Sequence, residues 1–115
     1  MNDCIFCKIA TGEIPSRKVF EDEDLFAFHD IRPMTPVHFM IIPKQHLPSL
    51  VEVQPEHQPL LGKMLGLAAR LAREQGLVDG FRSVINTGRI GRQEVYHLHL
   101  HILGGPEPLG SMIRK

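Results

Sequence analysis

Three histidines alternate with apolar residues in His97-Leu98-His99-Leu100-His101. In an extended strand successive side chains face opposite ways, so His97, His99 and His101 share one face and Tyr96, Leu98, Leu100 and Ile102 share the other. With a rise of about 3.3 Å per residue, neighbouring imidazoles stand about 7 Å apart at the backbone. One histidine on a strand is usually a hydrogen-bonded bystander; three in alternate register suit chemistry. Two kinds are open at this spacing. Adjacent rings could share a metal that keeps one position free for water. Alternatively one imidazole is a nucleophile while its neighbours fix its tautomer and protonate a leaving group. A second group is Cys4-Ile5-Phe6-Cys7. In an unexported chain with only these two cysteines, the pair reads as a metal clip or a redox pair rather than a structural bridge. A tetrahedral zinc would take two more ligands from elsewhere; without one, the pair is two reduced thiols in a small apolar helix.

The elements that must position these residues fit one domain spanning residues 1–115, since 43% of the chain is hydrophobic and 23% charged. A chain of this length buries enough surface to need no stapling by several disulfides. Thirteen basic residues balance thirteen acidic ones, so no large field steers the protein to nucleic acid or an anionic membrane. The opening MNDCIFCKIA has neither a basic leader nor a long apolar run, which implies a cytoplasmic protein without a membrane partner.

Residues 4–10 read as one or two helical turns, stopped by Thr11-Gly12. Val19-Phe20 and Leu25-Phe26-Ala27-Phe28 flank four acidic residues, which predicts two short strands around a turn. Residues 37–42 read as a buried strand ended by Pro43. Leu60, Leu61, Met64, Leu65, Ala68, Leu71 and Ala72 recur at helical spacing, giving the one long helix, with an irregular start near Pro55 and Pro59 and a stop at Gly76. Residues 81–86 predict a strand, 87–93 a loop and 95–103 the final strand. The tail from about residue 104 is irregular.

The run His97-Leu98-His99-Leu100-His101-Ile102-Leu103 resembles the motif of the histidine triad superfamily, and Gln93-Glu94-Val95-Tyr96 resembles its lead-in. Phe28-His29-Asp30-Ile31, Pro36-Val37-His38-Phe39, Ile42-Pro43-Lys44-Gln45-His46 and Ile85-Asn86-Thr87-Gly88 are similar, in order and interval, to segments of its nucleotide-binding protein branch. The resemblance implies an α+β fold with a five-stranded antiparallel sheet, one long and one short helix, and a homodimer with a continuous ten-stranded sheet. Phe81, Val84 and Ile85 are the candidates for the strand that crosses the two-fold axis.

The implied activity is hydrolysis of purine nucleoside phosphoramidates through a covalent nucleotidyl-histidine. His99 would attack the phosphorus, His101 would contact the phosphate and assist protonation of the leaving group, and His97 and His38 would orient them. No metal is needed for that chemistry. Asp30 would hold the ribose hydroxyls, Phe6, Ile9, Phe28 and Ile31 the base, and Asn86 and Gln93 the phosphate side. Glu94 stands where other members carry serine, so a hydroxyl contact to phosphate is lacking. Arg92 stands where glycine is usual. It either points into water, with φ < 0 or some strain, or brings a guanidinium to the phosphate. Some bacterial members bind structural zinc through residues matching Cys4, Cys7, His46 and His97. The alternatives are a nucleotide-sensing or partner-binding module with incidental turnover, a zinc hydrolase ligated by His97 and His99, and a dinucleoside polyphosphate hydrolase or nucleotidyl transferase.

Overall fold

The computed structural model describes residues 3–111. Its elements are α1 (Ile5–Thr11), β1 (Lys18–Glu21), β2 (Leu25–His29), β3 (Val37–Pro43), α2 (Gln58–Glu74), β4 (Arg82–Val84) and β5 (Leu100–Gly104), with 3-10 turns at Leu50–Glu52 and Pro55–His57. The strands form one antiparallel sheet in the order β1-β2-β3-β5-β4. This is the five-stranded, two-helix α+β arrangement expected.

The apolar runs of β2 and β3 place them inside the sheet, covered on both faces. Leu25, Ala27, Phe39, Ile41, Leu100 and Ile102 form one face and pack against Met64, Ala68, Leu71 and Ala72 of α2. Phe26, Phe28, Met40 and Ile42 form the other and receive Phe6 and Ile9 of α1. Each large side chain buried this way contributes about 1.5–3 kcal/mol. At the acidic turn, Asp22 Oδ1 accepts from the Asp24 and Leu25 N–H groups, each at 2.8 Å, and Lys63 of α2 bridges Asp22 and Asp24 at 2.8 and 3.0 Å.

The two prolines explain the irregular start of α2. Pro55 opens a 3-10 turn, and Pro59 lies in the first turn of α2, where its missing N–H would have had no intrahelical partner. Gly76, at φ 92°, ends the helix with Gly76 N–H donating to the Arg73 carbonyl and Leu77 N–H to the Ala72 carbonyl at 2.9 Å.

Two strands are shorter than the residue pattern predicts. β4 holds only Arg82–Val84, leaving Phe81, Ile85 and Asn86 outside it. β5 starts at Leu100, so His97 and His99 lie in the approach to the strand. The N–H of Leu98 donates to the Leu47 carbonyl at 2.7 Å rather than to a neighbouring strand. The stretch leading into the ladder is buried throughout, at His97, Leu98, His99 and Leu100. The expected alternation fails at Tyr96, placed on the core face by the residue pattern but 49% exposed on a bend. Beyond β5 the chain is irregular to Ser111, and residues 112–115 lie outside the described residues.

Candidate active site and adjoining Cys–His cluster

β3, β5 and the approach to β5 bring four histidines together: His38 on β3, His101 on β5, and His97 and His99 just before it. Met40 pairs with His101, so His38 lies diagonally from it, with His38 Nε2 2.9 Å from His101 Nδ1. The hydrogen-bond partners assign each ring's tautomer. His38 Nδ1 accepts from the Met34 N–H at 3.1 Å, so its Nε2–H donates to His101 Nδ1. His101 therefore carries its own proton on Nε2. The Nδ1–H of His99 donates to the His97 carbonyl at 2.7 Å, leaving Nε2 with a free lone pair. The Nε2–H of His97 donates to the Pro43 carbonyl at 2.7 Å, leaving its Nδ1 bare.

Burial holds these rings neutral. His97 and His99 are pushed below the ordinary histidine value by desolvation, opposed in each by a backbone carbonyl. His38 is lowered by burial against the opposing Asp30 carboxylate. His101 falls to about 4, first through burial and then through the neighbouring His99 and His38. A neutral, desolvated imidazole with Nε2 unprotonated is a nucleophile.

Asp30, directly after β2, accepts from the Arg32 N–H through Oδ1 at 2.8 Å and keeps Oδ2 3.5 Å from His38 Nε2. Phe6, Ile9 and Phe28, expected to meet the base, are buried in one apolar cluster, with Phe6 edge-on to Phe28 at 5.5 Å and to the His99 ring at 5.0 Å between centroids. Ile31 is not packed there; it stands in solvent, 90% exposed. Asn86 is half-buried and makes no side-chain hydrogen bond among the described residues. The β4–β5 pairing ends at Val84 opposite His101, two residues before Asn86.

Gln93, expected on the phosphate side, is buried with its side chain bonded to backbone groups. Its Nε2 donates to the carbonyls of Pro48 at 2.7 Å and Val95 at 3.0 Å, while Oε1 accepts from the Gly88 N–H. Both amide hydrogens are committed to pinning the 87–93 loop. Glu94 is exposed, and its charge acts on His99 in the direction that favours protonation. Arg92 is exposed with φ 60°, the one described non-glycine residue at positive φ. The neighbouring Gly91 is fixed by space, since a Cβ there would meet the Thr87 backbone at 2.6 Å.

The Cys–His cluster adjoins this site through His97. Its bare Nδ1 lies 3.3 Å from Cys4 Sγ, 3.5 Å from Cys7 Sγ and 3.2 Å from His46 Nδ1, and Cys7 Sγ lies 3.4 Å from His46 Nδ1. Tetrahedral zinc at ordinary bond lengths separates two nitrogen ligands by about 3.3 Å and a sulfur from a nitrogen by about 3.6 Å. The donor set, its spacing and a histidine whose other nitrogen donates to a carbonyl all fit that ion. By contrast, His97 and His99 do not converge: the Nδ1 of His97 faces the cysteines and that of His99 faces a carbonyl.

A family model described as "Scavenger mRNA decapping enzyme C-term binding" matches residues 3–115. Protein HitA of Neisseria gonorrhoeae is 54% identical over 106 residues, covering 92% of this chain and 99% of that protein. The purine nucleoside phosphoramidase of Escherichia coli K12 is 46% identical over 112 residues, covering 96% and 93%. Among solved structures, a HIT family hydrolase from Legionella pneumophila Philadelphia 1 superposes with TM-score 0.88 at 49% identity, covering 91% of this chain and 95% of that one. A histidine triad protein from Clostridium difficile superposes at 0.91 with 42% identity, covering 96% and 97%. The chain belongs to the histidine triad superfamily and is a hydrolase of that family.

Proposed function

We propose that the chain hydrolyses the P–N bond of purine nucleoside phosphoramidates through a nucleotidyl-His99 intermediate. The observation that carries the reading is the tautomer order: His99 offers an unprotonated Nε2 beside a His101 whose Nε2 bears a proton. The phosphoramidase relative supports the substrate class.

Asp30 Oδ2 accepts from the ribose hydroxyls, Phe6, Ile9 and Phe28 meet the base, and Ile31 gains cover from it. The phosphate's negative charge opposes the burial that keeps His101 neutral, so His101 takes up a proton on Nδ1 when substrate binds, and the His38 Nε2–H turns from that nitrogen to Asp30 Oδ2, 3.5 Å away. The lone pair of His99 Nε2 then forms a bond to phosphorus as the P–N bond breaks, and His101 gives its Nε2 proton to the departing nitrogen. The modified His99 ring is cationic because Nδ1 keeps its proton, and the His97 carbonyl stabilises that charge. The cationic ring is in turn a good leaving group. Water attacks phosphorus, gives its proton to His101 and frees His99, releasing the nucleoside monophosphate.

Cys4, Cys7, His46 and His97 would hold a structural zinc ion, which fixes the His97 ring and takes no part in these steps. The fold supports a homodimer built across β4, a three-residue strand that leaves one edge of the sheet unpaired among the described residues.

The test is a rapid quench with adenosine phosphoramidate followed by mass spectrometry, which should find an adenylyl group on the peptide bearing His99. A full turnover without any such adduct, in burst and steady state alike, rejects the covalent route. Assay of diadenosine polyphosphates in parallel discriminates the dinucleotide hydrolase.

A further inference from the structure

The short helix α1 carries two sets of residues with different tasks. Cys4, its N-cap, and Cys7, in its first turn, reach the ring nitrogens of His97 and His46. Phe6 and Ile9, its two buried residues, pack in the apolar cluster that the proposed function assigns to the base, and Phe6 stands edge-on to the His99 ring. A seven-residue helix does not hold together in isolation. The bonds from the Lys8, Gly12 and Ile14 N–H groups run to Cys4, Ile9 and Lys8 carbonyls and are local to the segment. What fastens α1 to the sheet is therefore the burial of Phe6 and Ile9 together with the Cys–His cluster.

We propose that a metal at Cys4, Cys7, His46 and His97 holds α1 over the base slot, so that metal and nucleotide bind with positive coupling carried by Phe6 and Ile9. The inference rests on reading the cluster as a zinc site and the slot as the base site. Withdrawing α1 takes away two of four ligands, so the metal selects the docked arrangement. A base packed on Phe6 and Ile9 selects the same arrangement. Two ligands that favour one state each tighten the other by the same factor. The coupling belongs to the base, because ribose and phosphate reach Asp30 and the histidines on the sheet. Transmission from His97 through its carbonyl to His99 would act on the phosphate instead, whatever the base.

The experiment titrates the chain, stripped by a chelator or reloaded with one equivalent of Zn(II), with AMP and with ribose 5-phosphate by calorimetry. Zn(II) affinity is measured by chelator competition with and without saturating AMP. Zinc should tighten AMP by about tenfold and AMP should tighten zinc by the same factor, within the ordinary range of such couplings. Ribose 5-phosphate should bind both forms alike. If stripping unfolds the chain, Phe6→Ala with zinc present carries the test, because AMP must then lose most of its tightening of zinc. Stoichiometric zinc with unchanged AMP affinity overturns the coupling, and an equal shift for ribose 5-phosphate overturns its route through the base. Failure of wild type to bind zinc removes the metal-site reading, failure to bind AMP in either form removes the nucleotide reading, and each takes the coupling with it.

Discussion

His99 donates its Nδ1–H to the carbonyl oxygen of His97, 2.7 Å away, so one backbone oxygen both orients the central ring and faces the charge it would gain. His97 in turn is held by the Pro43 carbonyl and by the Cys–His cluster, and has no free nitrogen for the reacting centre. Division of labour among the histidines follows from this bonding.

His99→Ala should abolish nucleotidyl-enzyme formation and remove nearly all of the rate acceleration. His38→Ala should lower kcat by about 10²-fold, within the range for losing a positioned acid–base partner, with an adduct still detectable. Quench-flow traces of both variants check this. Normal turnover by the His99→Ala protein would be fatal to the mechanism.

Stability should fall as pH drops from 6.5 toward 4. The His101 value in the folded chain is about 4, below its ordinary 6.5, so between those limits the unfolded chain takes up the proton first. His38, His97 and His99, also lowered by burial, act in the same direction. Urea midpoints at pH 7 and 4.5 measure it. His101→Gln should flatten the fall, and a midpoint that rises on acidification contradicts the burial argument.

Protein purified without chelator should contain about one zinc per chain, and the Cys4→Ser, Cys7→Ser double variant none. Losing about 1–2 kcal/mol of tethering should lower Tm by about 5–10 °C for a domain of this size. Elemental analysis paired with calorimetry decides it, and metal-free wild type of unchanged Tm would leave the cysteines as plain thiols.

Arg92→Gly relieves an αL residue and should stabilise the fold by up to about 1 kcal/mol, the glycine's unfolded-state entropy offsetting part of the gain. If the exposed guanidinium reaches substrate phosphate, the same variant raises KM for adenosine phosphoramidate by a few-fold to tenfold, weakens its salt dependence and leaves kcat unchanged. An unchanged KM and salt response would keep Arg92 in solvent.

A light-scattering mass near twice the 13.0 kDa chain mass at micromolar concentration is expected for the homodimer. A charge placed on the edge strand by Val84→Lys should shift the mass toward one chain.

The sheet was legible because residues 25–28 and 37–42 are apolar runs bounded by turn residues, and α2 because its apolar stripe has the helical period. The true start of β5 was not, since alternation only requires extended backbone, whereas a strand requires a neighbour. Leu98 finds its partner in the loop residue Leu47, a pairing no local pattern encodes. The four histidines and the Cys–His set could be named from residue type and family resemblance. Their tautomers depend on the Pro43 and His97 carbonyls and the Met34 N–H, groups that every sequence contains. The side-chain partners of Gln93 were hidden for a related reason: an amide in a loop beside a site is as able to bind backbone as substrate, and here it spans 45 residues to Pro48.

The order β1-β2-β3-β5-β4 has a consequence for how the molecule opens. β5 is paired on both sides, so the amides around His101 and Ile102 exchange with solvent only through large-scale unfolding. α1 sits outside that ladder, so its amides can exchange by a local opening that leaves the sheet intact and exposes only Phe6, Ile9 and the Cys–His cluster. The protein thus runs on two clocks, a slow one under the reacting histidines and a fast one over the slot that judges the base. On warming, the fast clock gives way first. Discrimination between substrates should therefore decay at temperatures where the bond-breaking step is still intact.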